Sequence, residues 1–131
     1  MSNSYPKAEK LCSRNIIDKL FADRHSVYEF PLKIMWTIEK LPENVPVQSS
    51  VTVSKHRFKR AYKRNLLKRR MREAFRLNKQ TLYKKVENES KQLALMIIYN
   101  HAEILPYNQI ETAMSAALGK IITKLEKEGA I

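Results

Sequence analysis

A chain of 131 residues, 44% of them hydrophobic, is long enough to fold as one domain that buries roughly two-thirds of its unfolded surface, and too apolar to stay disordered. Its 25 Lys and Arg against 13 Asp and Glu leave a net charge of +12, which points to a polyanionic partner, nucleic acid first. One cysteine, Cys12, excludes an internal disulfide framework and fits a reducing, cytoplasmic setting. The sequence has no apolar signal core and no run near the ~18 apolar residues of a membrane span. We therefore expect a single domain over 1–131, with about 1–7 and 128–131 flexible.

Residues 8–22 read as an amphipathic helix, with Leu11, Ile17, Leu20 and Phe21 on one broad side and Ile16 beside them. From Ser26 to Lys40 the period changes to that of a strand. Leu32, Ile34, Trp36 and Ile38 alternate with Lys33, Met35, Thr37 and Glu39, and Pro31 marks a start, bend or edge. The loop LPENVP precedes a further strand through Val47, Val51 and Val53. A helix is expected from about Ala61 to Lys79, followed by a polar interval. Leu93 to Tyr99 is a short apolar run suited to a buried strand. Asn108 is a candidate N-cap for a terminal helix carrying Ile110, Met114, Ala117, Ile121 and Leu125, in which Gly119 suggests a packing constraint. The order is that of an α/β sandwich around one sheet.

The charge is concentrated. Lys55 to Lys79 holds 12 basic residues and one acidic residue, Glu73, a net of +11, while the other 106 positions sum to +1. Drawn as a helix, this segment turns Leu67, Met71, Ala74 and Phe75 to one side. Asn65, Lys68, Arg69, Arg72 and Arg76 fall in an arc about 100° wide on the other, with Arg64 at its margin. Like charges at three- and four-residue spacing repel, and phosphates relieve that repulsion. Arginine dominates, and its guanidinium offers forked donors to phosphate oxygens. A merely solvated basic helix is the plainer reading. Membrane binding is disfavoured because the core needs the apolar side, and a helix-turn-helix on DNA is disfavoured because no partner helix is suitably placed.

No nuclease site is visible. His25, His56 and His101 are scattered, no carboxylate cluster suits a pair of metal ions, and with Gly119 and Gly129 the only glycines there is no Gly-rich phosphate loop. Cys12 is expected to be a small core or boundary residue.

The stretch VTVSKHRFKRAYKRNLLKRRMREAFR, with Ser54-Lys55, Arg64-Asn65, Lys68-Arg69, Arg72-Glu73 and Ala74-Phe75, resembles the signature of the bacterial ribonuclease P protein family. LCSRNIIDKLFADRHSV extends the likeness to the first helix. The resemblance implies an α-β-β-β-α-β-α order, one four-stranded sheet with helices packed on it, and a left-handed βαβ crossover. It implies an RNA-binding subunit of an endoribonuclease that removes 5′ leaders from precursor tRNA. In that family the RNA subunit and its Mg²⁺ ions carry the chemistry, so the protein would have no catalytic residue, bind no cofactor or metal itself, and take neither a membrane nor a small molecule as partner. Arg64, Asn65, Lys68, Arg69, Arg72 and Arg76 would face the catalytic RNA. Ile17, Phe21, Lys33, Met35 and Lys55 would line a cleft for the single-stranded leader, unless Ile17 and Phe21 are simply core. The chain departs from the family in two places. Leu66 stands where Arg-Asn-Arg is usual, leaving Lys63 or Arg70 as substitutes, and the loop HRFKRAYK lacks the customary glycine. A ribosomal or other structural RNA-binding protein is the alternative.

Overall fold

Strands β1 (Ser26–Glu29), β2 (Leu32–Ile38), β3 (Val47–Val53) and β4 (Leu93–Tyr99) form one sheet in the order β1-β2-β4-β3 in the computed structural model, which describes residues 7–23 and 25–128. The termini expected to be flexible lie almost wholly outside the described residues. Strand β4, the continuous apolar run, sits inside the sheet, antiparallel to β2 and parallel to β3. Pro31 lies in the β1–β2 turn, so the alternating segment from Ser26 is two strands rather than one.

Helices α1 (Arg14–Asp23), α2 (Ala61–Asn78), α3 (Gln80–Asn88) and α4 (Tyr107–Glu128) complete the fold. Strand alternation sends Leu32, Ile34, Trp36, Leu95 and Ile97 to one face of the sheet. There they pack with Leu67, Met71, Ala74 and Phe75 of α2, and with Ile110, Met114, Ala117, Ile121 and Leu125 of α4. The opposite face places Met35, Ala94 and Met96 under Ile16 and Leu20 of α1, with Leu11 and Leu41 closing this smaller core.

Several sequence expectations need correction. The first helix does not begin at residue 8. Lys7–Glu9 is a single 3-10 turn, and Lys10 makes an isolated parallel bridge to Ser49, with Leu11 N–H donating to Ser49 O at 2.8 Å. Gln48 Nε2 also donates to Ala8 O at 2.8 Å, so pairing along the β3 edge overrides the helical pattern. The helix starts after Ser13, whose Oγ accepts Ile16 N–H at 3.4 Å and whose carbonyl accepts Ile17 N–H. Cys12 is exposed in this segment, neither on a helix nor in a core.

The polar interval after α2 is helical. Helix α3 buries Leu82, Tyr83 and Val86, three apolar positions in a segment otherwise too polar to show a period. It ends where Ser90 adopts φ 55°, letting Lys91 N–H reach Val86 O. Finally, α4 starts at Tyr107, so Asn108 lies within its first turn and does not cap it.

Gly119 of α4 is solvent-exposed, and a Cβ built on it would meet nothing within 4 Å, so the helix has no packing need for glycine there. Gly119→Ala is expected to stabilise the fold by about 0.5–1 kcal/mol through lower unfolded-state entropy and better helix propensity. A thermal melt tests this: the midpoint rises, whereas a fall would reveal a conformational role for the glycine.

Candidate nucleic-acid interface

The first surface is the outer side of α2. Its inner side is fixed by four fully buried residues, Leu67, Met71, Ala74 and Phe75, and a rigid helix buried on that side must present the opposite arc to solvent. Asn65, Arg69 and Arg72 are exposed and Lys68 is half-buried. Among the described residues, none hydrogen-bonds or ion-pairs with the side chains of these four. The other two members of the arc are engaged. Arg76 forms a two-pronged pair with Glu73, Nε to Oε1 at 3.0 Å and Nη2 to Oε2 at 2.7 Å, and that hydrogen bonding holds the Glu73 carboxyl below its ordinary range. Arg64 Nη1 donates to the carbonyls of Phe58 at 2.7 Å and Lys59 at 2.9 Å.

Arg64 thereby braces the loop that leads into α2. Ser54 Oγ accepts His56 N–H at 3.1 Å and Arg57 N–H at 3.4 Å, and Phe58 is buried edge-to-face against Tyr99. A buried aromatic and a turn-forming serine fix this loop where the usual glycine is missing. Of the candidates to replace the basic residue at Leu66, Arg70 is tied by Nη1 to Leu105 O at 2.8 Å, whereas Lys63 is half-buried at the start of α2. Lys79, counted with the basic run, belongs to neither surface. It is 1% exposed and its Nζ lies 2.8 Å from Glu9 Oε1.

The second surface is the outer face of the sheet where α1 leaves it uncovered. Helix α1 is tied down at its end by Thr37 Oγ1 donating to Asp23 and by Lys19 pairing with Glu39 at 3.1 Å. Beyond the row it covers, strand register aligns Tyr28, Lys33, Ile98 and Thr52 across all four strands. Three strand spacings make this row about 14 Å long. Tyr28 is 55% exposed and Lys33 Nζ lies 5.4 Å from its ring centre, while Lys33, Ile98 and Thr52 are half-buried. On the flank, Phe21 of α1 is 52% exposed and Ile17 half-buried, so Phe21 is no core residue. Met35 is 6% exposed and packs beneath α1 within the smaller core. Lys55 is exposed just past the end of β3, the strand that carries Thr52.

Met35 lies in the smaller core beneath α1 and Ile17 and Ile98 pack against it, while Lys33 stands in the cross-strand row, Phe21 on the exposed side of α1 and Lys55 just past the end of β3. Tyr28, Ile98 and Thr52 escaped the sequence reading. The alternation of Val27 with Tyr28 was available as a signal for the first, but the cross-strand register that aligns all three was not.

Among the described residues no group of three His, Cys, Asp or Glu is placed to hold a metal ion, and no helix is long and apolar enough to cross a membrane. His101 packs edge-to-face on Phe30 and His25 stacks on Trp36, well removed in sequence from one another.

The fold is shared with solved structures. It superimposes on the Staphylococcus aureus RNase P protein with a TM-score of 0.66, at 20% identity, covering 88% of this chain and 96% of that one. The corresponding values for the RNase P protein from Thermotoga maritima are 0.57, 17%, 88% and 96%. In sequence, two curated ribonuclease P protein components from strains of Porphyromonas gingivalis are each 30% identical over 115 residues, 88% of this chain and 84% of theirs. The family model described as Ribonuclease P matches residues 5–122. With that span covering α1, the whole sheet and the basic helix α2, the chain belongs to the ribonuclease P protein family.

Proposed function

We propose that this chain is the protein subunit of ribonuclease P, which joins a catalytic RNA in a cytoplasmic ribonucleoprotein and assists removal of the 5′ leader from precursor tRNA. The observation that carries the reading is the outer side of α2, where Lys68, Arg69 and Arg72 face outward with no protein partner among the described residues. Those three cations, with Asn65 beside them, meet the backbone of the catalytic RNA. Arg64 and Arg76 border that contact, Arg64 chiefly by holding the entry loop.

The groove beside α1 takes the single-stranded leader. Phe21 and Tyr28 offer ring faces to bases, Ile17 and Ile98 an apolar floor above Met35, and Lys33 and Lys55 neutralise phosphate. The RNA subunit and its Mg²⁺ carry the bond cleavage. The protein supplies position and charge neutralisation, which lowers the Mg²⁺ concentration the complex requires.

Reconstitution tests this directly. The protein is mixed with a bacterial ribonuclease P RNA and a precursor tRNA, and leader release is followed at low Mg²⁺. Strong stimulation over RNA alone is expected. Absence of stimulation, with tight binding to ribosomal RNA instead, would mark a structural RNA-binding protein with no part in processing.

A further inference from the structure

Lys79 is a lysine inside a protein, and such burial is stable only with a compensating charge. The compensation comes from Glu9, 70 residues earlier in the chain. Its Oε1 accepts both Lys79 Nζ, at 2.8 Å, and the hydroxyl of buried Tyr83, over whose ring the ammonium also sits at 5.0 Å. This cluster pins the N-terminal segment to the junction of α2 and α3. One residue on, the Lys10–Ser49 bridge and the Leu11–Ser49 hydrogen bond fix the same segment along β3. Held at both points, Lys10 is delivered to the distal end of the α2 arc. There Lys10, Arg69, Arg72, Glu73 and Arg76 line one open cavity of about 420 Å³.

We infer that this cavity is a phosphate-binding bay for the catalytic RNA, with Lys10 as a phosphate contact and the Glu9–Lys79–Tyr83 cluster as its positioning device. The inference rests on the reading that α2 docks the catalytic RNA, and adds a contact from a second element of the fold. The side chains of Lys10, Arg69 and Arg72 have no hydrogen-bond or ion-pair partner among the described residues, and Glu73 is the one carboxylate lining the bay, already paired with Arg76. Four cations and one carboxylate leave three positive charges, enough to hold a phosphate whose oxygens accept from Arg69 and Arg72 on one side and Lys10 on the other. A helix alone presents a single line of donors; closing a phosphate from two sides requires the second segment.

The test measures binding of the full protein to bacterial ribonuclease P RNA across a salt series, comparing Lys10→Ala, Lys10→Arg and Arg72→Ala. Lys10→Ala is expected to weaken binding about tenfold and to reduce the salt slope by about one counterion, with Lys10→Arg restoring both. Combined with Arg72→Ala its effect should be less than additive, because both residues hold one phosphate. Affinity of the assembled holoenzyme for precursor tRNA should be unchanged by Lys10→Ala. Glu9→Gln, where it folds, should reproduce the loss and make Lys10→Ala silent. An unchanged affinity and slope in Lys10→Ala, alongside a loss in Arg72→Ala, would overturn the bay and leave the α2 reading standing. A loss confined to precursor binding would also overturn it, placing Lys10 against the substrate. Unchanged binding in both variants would sink the α2 reading itself.

Discussion

Replacing Arg69 and Arg72 together by Ala is expected to weaken binding to the catalytic RNA about 100-fold near 0.1 M salt, and to flatten the dependence of log Kd on log salt by about two units. Both guanidiniums stand on the exposed side of a helix whose opposite side is fully buried, and no described residue engages them. On the proposed reading their loss removes two phosphate contacts, and the counterions those contacts release, without disturbing the core. The melting temperature should hold or rise slightly, since closely spaced like charges on one helix face repel in the free protein. Filter binding at several salt concentrations, with a thermal melt in parallel, separates the outcomes. Equal salt slopes for variant and parent would mean that this arc does not meet the RNA.

Phe21→Ala is expected to lower affinity of the holoenzyme for leader-bearing precursor by about tenfold, while binding of tRNA lacking the leader is unchanged. The side chain is half in solvent on the flank of the groove, so truncation leaves no large cavity and stability should change by about 1 kcal/mol or less. Ile16→Ala, one face round on the same helix, provides the contrast. Ile16 is buried in the smaller core, and its loss should cost about 2–4 kcal/mol, with no selective effect on leader binding per folded molecule. If Phe21→Ala instead lowers the melting temperature sharply and affects both RNAs equally, the ring belongs to the core and the groove is not the leader site.

Much of this was legible in the sequence because the relevant patterns are local. The α2 apolar positions Leu67, Met71, Ala74 and Phe75 are all buried as their spacing requires, and so are the five positions of α4. The Leu93–Tyr99 run is a strand with those limits. What failed was decided by long-range partners. Residues 8–13 carry a helical pattern, yet their backbone pairs along β3 through Ser49 and Gln48, and no local signal encodes that choice. Lys79 reads as one more cation in a basic run, and only Glu9 and Tyr83, far off in sequence, make it a buried residue. The groove was half legible: alternation put Lys33 opposite Trp36, but the alignment of Tyr28, Lys33, Ile98 and Thr52 depends on register. Phe21 shared its helix side with Leu20, and a wheel alone cannot say which of the two the sheet reaches.

The central claim is that the outer side of α2 lies against the catalytic RNA while the groove beside α1 holds the leader. Site-directed crosslinking reads both at once, using single cysteines at Lys68→Cys, Phe21→Cys and Lys124→Cys in a Cys12→Ser background, each carrying a photoreactive group in the assembled complex. The account predicts crosslinks from position 68 to the catalytic RNA, from position 21 to the precursor leader, and none above background from the exposed position 124 on α4. Crosslinks to the catalytic RNA from position 124 with none from position 68 would contradict it.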